Sequence, residues 1–286
     1  MKLTDRFHIA AFAVPALWLA VFVLVPFGII AAISLAQAVD GQPPFQLAWS
    51  WENYQLLLED VLYAEAYGNA LRIAATSSLV ALLIGYPMAY AISVAPRHRR
   101  GMLLTLVMLP FWTSFLVRIY AWMALLRPTG LINTALQGAG LIDEPLQLIN
   151  NQFAVHLGIV YGYLPFMVLP LYASLEKIDP ALTDAAADLG AGPWRVFWRV
   201  TLPLSMPGVV AGFLLVFIPA VGEFVIPELL GGPDTPMIGR VLWTEFFSNR
   251  DWPVAAALSV SLSLLLVVPV GVLQHLLAPK KKGGAV

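Results

Sequence analysis

The chain has no cysteine in its 286 residues. Disulfides, thiolate metal ligands and a cysteine nucleophile are therefore excluded. Charge is scarce as well: Asp, Glu, Lys and Arg make up 12% of the residues, against roughly 25% in a soluble domain. The four histidines, His8, His98, His156 and His275, lie far apart without ligand spacing, so no metal site is expected. There is no Gly-x-x-x-x-Gly-Lys phosphate loop, so any ATP use falls to another chain. There is no His-Glu-x-x-His and no nucleophile motif, which argues against an intramembrane enzyme. No lipidation motif, no internal repeat and no loop large enough for a soluble domain is evident. The missing repeat, with the loop pattern below, argues against an ion-coupled secondary transporter working through Glu223 or Glu228.

What the chain has is apolar length. It is 59% hydrophobic with a mean hydropathy of +0.79, which places it in a bilayer. A membrane helix needs about 20 mostly apolar residues. Candidate spans are 10–36, 69–94, 102–126, 153–175, 205–229 and 254–277, predicting an all-α membrane protein and a single transmembrane domain over 1–286. Pro219, Glu223, Pro227 and Glu228 predict a kink or an early end to the fifth span. Ala36-Gln37-Ala38 resembles a signal-cleavage site, but the apolar run before it is longer than the roughly 7–15 residues of a signal core.

Basic residues set the orientation. With both termini cytoplasmic, 11 Lys and Arg residues fall inside, including Arg97, Arg99, Arg100 and Lys280 to Lys282, and 5 fall in the outer half. Twelve acids accompany those 5 bases, a field that draws cations inward. The loops at 37–68, 127–152 and 230–253 are then external. The segment 176–204 is internal.

That internal segment is the most informative stretch. Ile178-Asp179-Pro180 reads as a helix start and Ala181 to Leu189 as a good helix former, with Gly190 as its stop. Pro193 and the cluster Trp194, Phe197 and Trp198 follow, then Val200-Thr201-Leu202-Pro203. A membrane-surface amphipathic helix is the alternative reading. Asp184-Ala185-Ala186, Gly190 and Leu202-Pro203 resemble the EAA loop of ABC importer permeases, with Asp184 in place of the usual glutamate. The resemblance implies the type I importer permease fold in a bacterial inner membrane. It implies a non-catalytic subunit whose loop docks a coupling helix on a separate ATPase.

The likeness extends further. Pro110-Phe111-Trp112-Thr113-Ser114 through Trp122, and Phe217 through Asp234, resemble polyamine importer permeases, the second stretch being closer to the putrescine type. This implies import of putrescine or a related polyamine and a second permease of similar fold. It also implies two ATPase subunits carrying ATP and Mg, and a periplasmic polyamine-binding protein. The same loop with a different pore would serve another small solute. No cofactor on this chain and no nucleic acid are expected.

Charges within a bilayer are costly and mark pathways. Candidates for the pathway or gate are Glu223, Glu228 and Arg118, with Tyr120 and Trp122 as stacking partners for an amine, and Asp251 and Trp252 near the outer end. Glu223 and Arg118 are alternatively a buried structural pair, and the aromatics ordinary interfacial side chains. On an ideal helix Glu223 and Glu228 stand about 140° apart, so they share no face unless Pro227 breaks it.

Overall fold

A computed structural model describes residues 12–233 and 235–277, the last five by backbone alone. Among these residues six helical stretches are long and apolar enough to cross a membrane: Phe12–Ile33, Val61–Val94, Phe115–Gly138, Gln152–Leu175, Pro193–Val221 and Trp252–Val272. The expected all-α membrane class is what the chain adopts.

The described residues fall into two compact units, 12–64 with 241–277, and 65–240. In the first, the Val25–Ile33 part of α1 (Phe12–Ile33) contacts α12 (Trp252–Leu277). A two-stranded hairpin follows α1, β1 (Ala36–Ala38) pairing antiparallel with β2 (Phe45–Leu47). The short helix α2 (Glu52–Glu59) is pinned back to the end of α1. Asn53 Nδ2 donates to the carbonyls of Ser34 (2.9 Å) and Ala36 (2.8 Å), and the Ser34 and Tyr54 hydroxyls share a 2.7 Å bond. None of the span of α1 is buried. Its apolar side chains, Trp18 and Phe22 among them, are left for lipid or another apolar surface.

The second unit begins within α3 (Val61–Val94). It continues through α4 (Arg97–Met108), α5 (Phe115–Leu126), α6 (Leu131–Gly138) and α7 (Gln152–Leu175). Next come α8 (Pro180–Asp188), α9 (Pro193–Val221), α10 (Val225–Leu230) and the start of α11 (Ile238–Trp243). Its centre is the α7–α9 pair, where Met167, Val168, Leu171 and Val216 are fully buried. The backbones meet at Gly208 and Gly212. A Cβ on Gly208 would lie 2.6 Å from the Pro170 carbonyl, and one on Gly212 would lie 3.0 Å from that of Met167. Two small residues four apart let membrane helices approach this closely, because dispersion must replace the hydrophobic force that lipid does not supply.

Three spans differ from expectation, and the second does so by beginning at Val61 rather than at 69. The predicted run 102–126 is not one helix: α4 tightens into a 3-10 turn at Leu109–Trp112, and Thr113 and Ser114 are extended before α5 begins. Pro110 has no N–H for the ladder, and the Thr113 hydroxyl donates instead to the Pro110 carbonyl at 2.7 Å. The fifth span starts earlier than 205, because α9 runs on from Pro193 through a π turn at Phe197–Thr201. It ends early, as expected, at Val221; Gly222 to Phe224 break the helix before α10.

Candidate functional site

Two regions of the second unit carry chemistry. The first is a cavity of about 600 Å³ bounded by the α4–α5 break, α5, α7 and the α9–α10 break. Glu223 lies in its wall and is 8% exposed. One carboxylate oxygen accepts the Tyr163 hydroxyl at 2.5 Å. The other accepts the first two backbone N–H groups of α10, from Val225 at 3.0 Å and Ile226 at 3.4 Å. The break at 222–224 makes this possible by turning the chain so that Glu223 faces the start of the next helix. Arg118, also 8% exposed, lines the same cavity from α5. Its guanidinium carbon sits 5.5 Å from the Phe111 ring centre and 5.8 Å from that of Phe115. Its Nε and Nη1 have no hydrogen-bond partner among the described residues. Arg118 and Glu223 thus share a cavity but do not form the buried ion pair weighed from the sequence.

The second region is the segment between α7 and α9. Asp179 caps α8, its side chain accepting the Ala181 N–H at 3.0 Å, and Pro180 occupies the first turn. At the other end Gly190 adopts φ +81°. Its N–H bonds to the Ala187 carbonyl (2.9 Å) and that of Ala191 to the Ala186 carbonyl (3.1 Å). This paired closure needs a residue that tolerates left-handed backbone. No residue of α8 is buried, and Leu189 and Trp194 are strongly exposed. The segment is tied to the basic first turn of α4 by Arg100, whose guanidinium meets Glu176 at 3.3 Å.

Residues 2–283 match the family model described as the binding-protein-dependent transport system inner membrane component. The chain belongs to that family. The permease is 40% identical over 266 residues to the spermidine/putrescine transport system permease protein PotB of Haemophilus influenzae, covering 93% of this chain and 92% of the relative. It is equally identical over 249 residues to PotB of Escherichia coli, covering 87% and 90%. The crystal structure of a bacterial ABC transporter that imports the acidic polysaccharide alginate contains a chain of the same fold. The TM-score is 0.67 at 20% identity, covering 96% of each chain. As a family member the permease is a non-catalytic, multi-pass inner-membrane subunit. The names of these relatives carry both amines, which is broader than the putrescine-type likeness read from Phe217 to Asp234.

The remaining candidates of the permease are scattered. Glu228, on α10, does not line the Glu223 cavity; it pairs with Arg240 at 2.7 Å. Tyr120 is exposed, and Trp122 packs edge-on against Tyr161. In the first unit Asp251 caps α12, accepting the Val254 N–H at 3.0 Å, and Trp252 stacks on Phe246 with ring centres 5.0 Å apart. Both border a concavity of about 580 Å³ with the 38–44 turn. Of the coupling candidates, Asp184, Ala185 and Ala186 are on α8, Gly190 closes it, and Leu202 and Pro203 lie inside α9. Tyr163, Phe111 and Phe115 were not singled out from the sequence as site residues. A tyrosine in mid-span was the available signal for the first, since a buried hydroxyl needs a partner.

Proposed function

We propose that the permease forms half of the translocation pathway of an ATP-driven polyamine importer, with putrescine and spermidine as candidate cargo. The observation that carries this reading is the cavity itself. A desolvated ammonium needs a carboxylate or aromatic faces in place of water, and Glu223 stands there among Phe111, Phe115, Tyr163 and Phe166. The relatives' names support the same substrate class.

The exposed α8 helix is the proposed coupling element, with Asp184 meeting a basic residue of the ATPase and the small Ala185 and Ala186 allowing close approach. Both termini are cytoplasmic in this reading, and 1–286 act as one permease domain. The partners are a second permease of similar fold, a periplasmic binding protein and two ATPase subunits that hold ATP and Mg.

The test is uptake of labelled putrescine and spermidine into vesicles bearing the reconstituted complex. ATP-dependent uptake abolished by Asp184→Lys in an assembled complex supports coupling through α8; loss in Glu223→Gln supports the cavity as the path. Uptake driven by an ion gradient without ATP sinks the proposal. One observation favours another solute: the unpartnered guanidinium of Arg118 suits an anion. A complex that takes up neither amine but imports a carboxylate-bearing solute would establish that reading instead.

A further inference from the structure

We infer that Arg118 is a resident cation that occupies the amine-binding faces of the Glu223 cavity and is displaced by an incoming substrate ammonium. The inference rests on the polyamine reading of that cavity. A buried guanidinium is normally held by carboxylates or carbonyls through its fork of N–H donors. Here Nε and Nη1 are buried without any such partner among the described residues, and the contacts seen there are with the rings of Phe111 and Phe115. Ring faces of this kind are what a substrate ammonium would use. The carboxylate in the same wall, Glu223, is bonded to Tyr163 and to backbone N–H groups and leaves Arg118 unneutralised. The cavity therefore has all the parts of an amine site, and a tethered cation already sits on two of them.

Such a device has a physical rationale. A transport site must bind well enough to admit its cargo and weakly enough to release it. A carboxylate enclosed by aromatic rings, with no opposing charge, would trap a diamine. The guanidinium offsets that attraction through its own positive charge and by competing for the rings. The extended Thr113-Ser114 link between Phe111 and Phe115 places the two rings on either side of a helix break. Movement of α5 against α4 would then carry Arg118 and Phe115 together away from Phe111 and release that ring face for an incoming ammonium.

The experiment measures amine binding and transport by the assembled complex in nanodiscs or vesicles, comparing the native protein with Arg118→Met, Arg118→Gln and Arg118→Lys. Loss of the charge should tighten spermidine binding by about tenfold or more, the scale of one nearby elementary charge in a partly polar site. Uptake per ATP hydrolysed should fall because release slows, and Arg118→Lys should stay near native in both. Arg118→Met should also melt no lower than the native protein, because no partner is left unpaired. Unchanged or weaker binding in both neutral variants overturns the inference, as does a Met variant that unfolds alongside a Gln variant that binds no better. If the native complex takes up neither amine, the substrate reading fails and the inference with it; if it does and the neutral variants do not tighten, only the inference fails.

Discussion

Glu223 joins α7 to α10 with the two oxygens of one side chain, and its part-buried bond to Tyr163 is accepted by a carboxylate. Tyr163→Phe keeps the ring and removes that donor, so no cavity opens. The expected cost is about 1.5–3 kcal/mol, the range for a hydrogen bond to a charged group, read as a lower melting temperature of the purified complex. An unchanged melt would mean that the hydroxyl contributes nothing net. The sequence marked Glu223 and Arg118 because charges in an apolar run are expensive wherever they point. It did not mark their surroundings. Tyr163 is 60 residues from Glu223, and their meeting depends on where the backbone breaks at 222–224. Glu228 is the converse case. It is as conspicuous in the sequence as Glu223, yet an ion pair with Arg240 occupies it, and no helical periodicity relates those two positions.

Helices show the same division between what local chemistry dictates and what packing decides. The limits of α8 were legible because its signals are local: Asp179 beside Pro180 at one end and Gly190 at the other. Gly190→Ala should fray its C-terminus at a cost of about 1 kcal/mol, since an L side chain resists left-handed backbone. Hydrogen exchange at the Gly190 and Ala191 amides should then speed up, and ATP-driven uptake should weaken while amine binding holds. Protection equal to native would refute this account of the cap. The α7–α9 contact was not legible, because Gly208 and Gly212 read as ordinary members of an apolar span until the partner helix is known. Gly208→Val puts its Cβ 2.6 Å from the Pro170 carbonyl and the Ser174 hydroxyl. Backbone cannot yield as a flexible side chain does, so a loss of about 1–3 kcal/mol or more is expected. It should appear as poor recovery of folded protein from the membrane; wild-type yield and melting would show that the helices can separate freely. The break at Thr113-Ser114 was missed for a related reason: hydropathy runs continuously through it, and only Pro110 hints that the ladder stops.

For the chain as a whole, the strongest sequence argument concerns sidedness, because it sums many weak preferences. Eleven basic residues against five favour cytoplasmic termini. The Arg100–Glu176 contact adds a geometric reason to treat the basic first turn of α4 and the proposed coupling segment as sharing one membrane face, as the span order requires. Sidedness also decides whether α8 is available to an ATPase at all. The lack of cysteine makes it directly measurable, since any introduced thiol is the only one present. Gly192 and Gly41 are suitable positions. Both are exposed, neither has a positive φ, and an added Cβ meets nothing within 4 Å at Gly192 and only the Pro43 carbonyl, at 3.7 Å, at Gly41. A membrane-impermeant maleimide should label Gly41→Cys in intact cells opened only at the outer membrane, and should leave Gly192→Cys untouched there. In inside-out vesicles the pattern should invert. The opposite result would put α8 outside the cell, where no ATP-hydrolysing partner works, and would remove the coupling role of Asp184 however well its sequence fits.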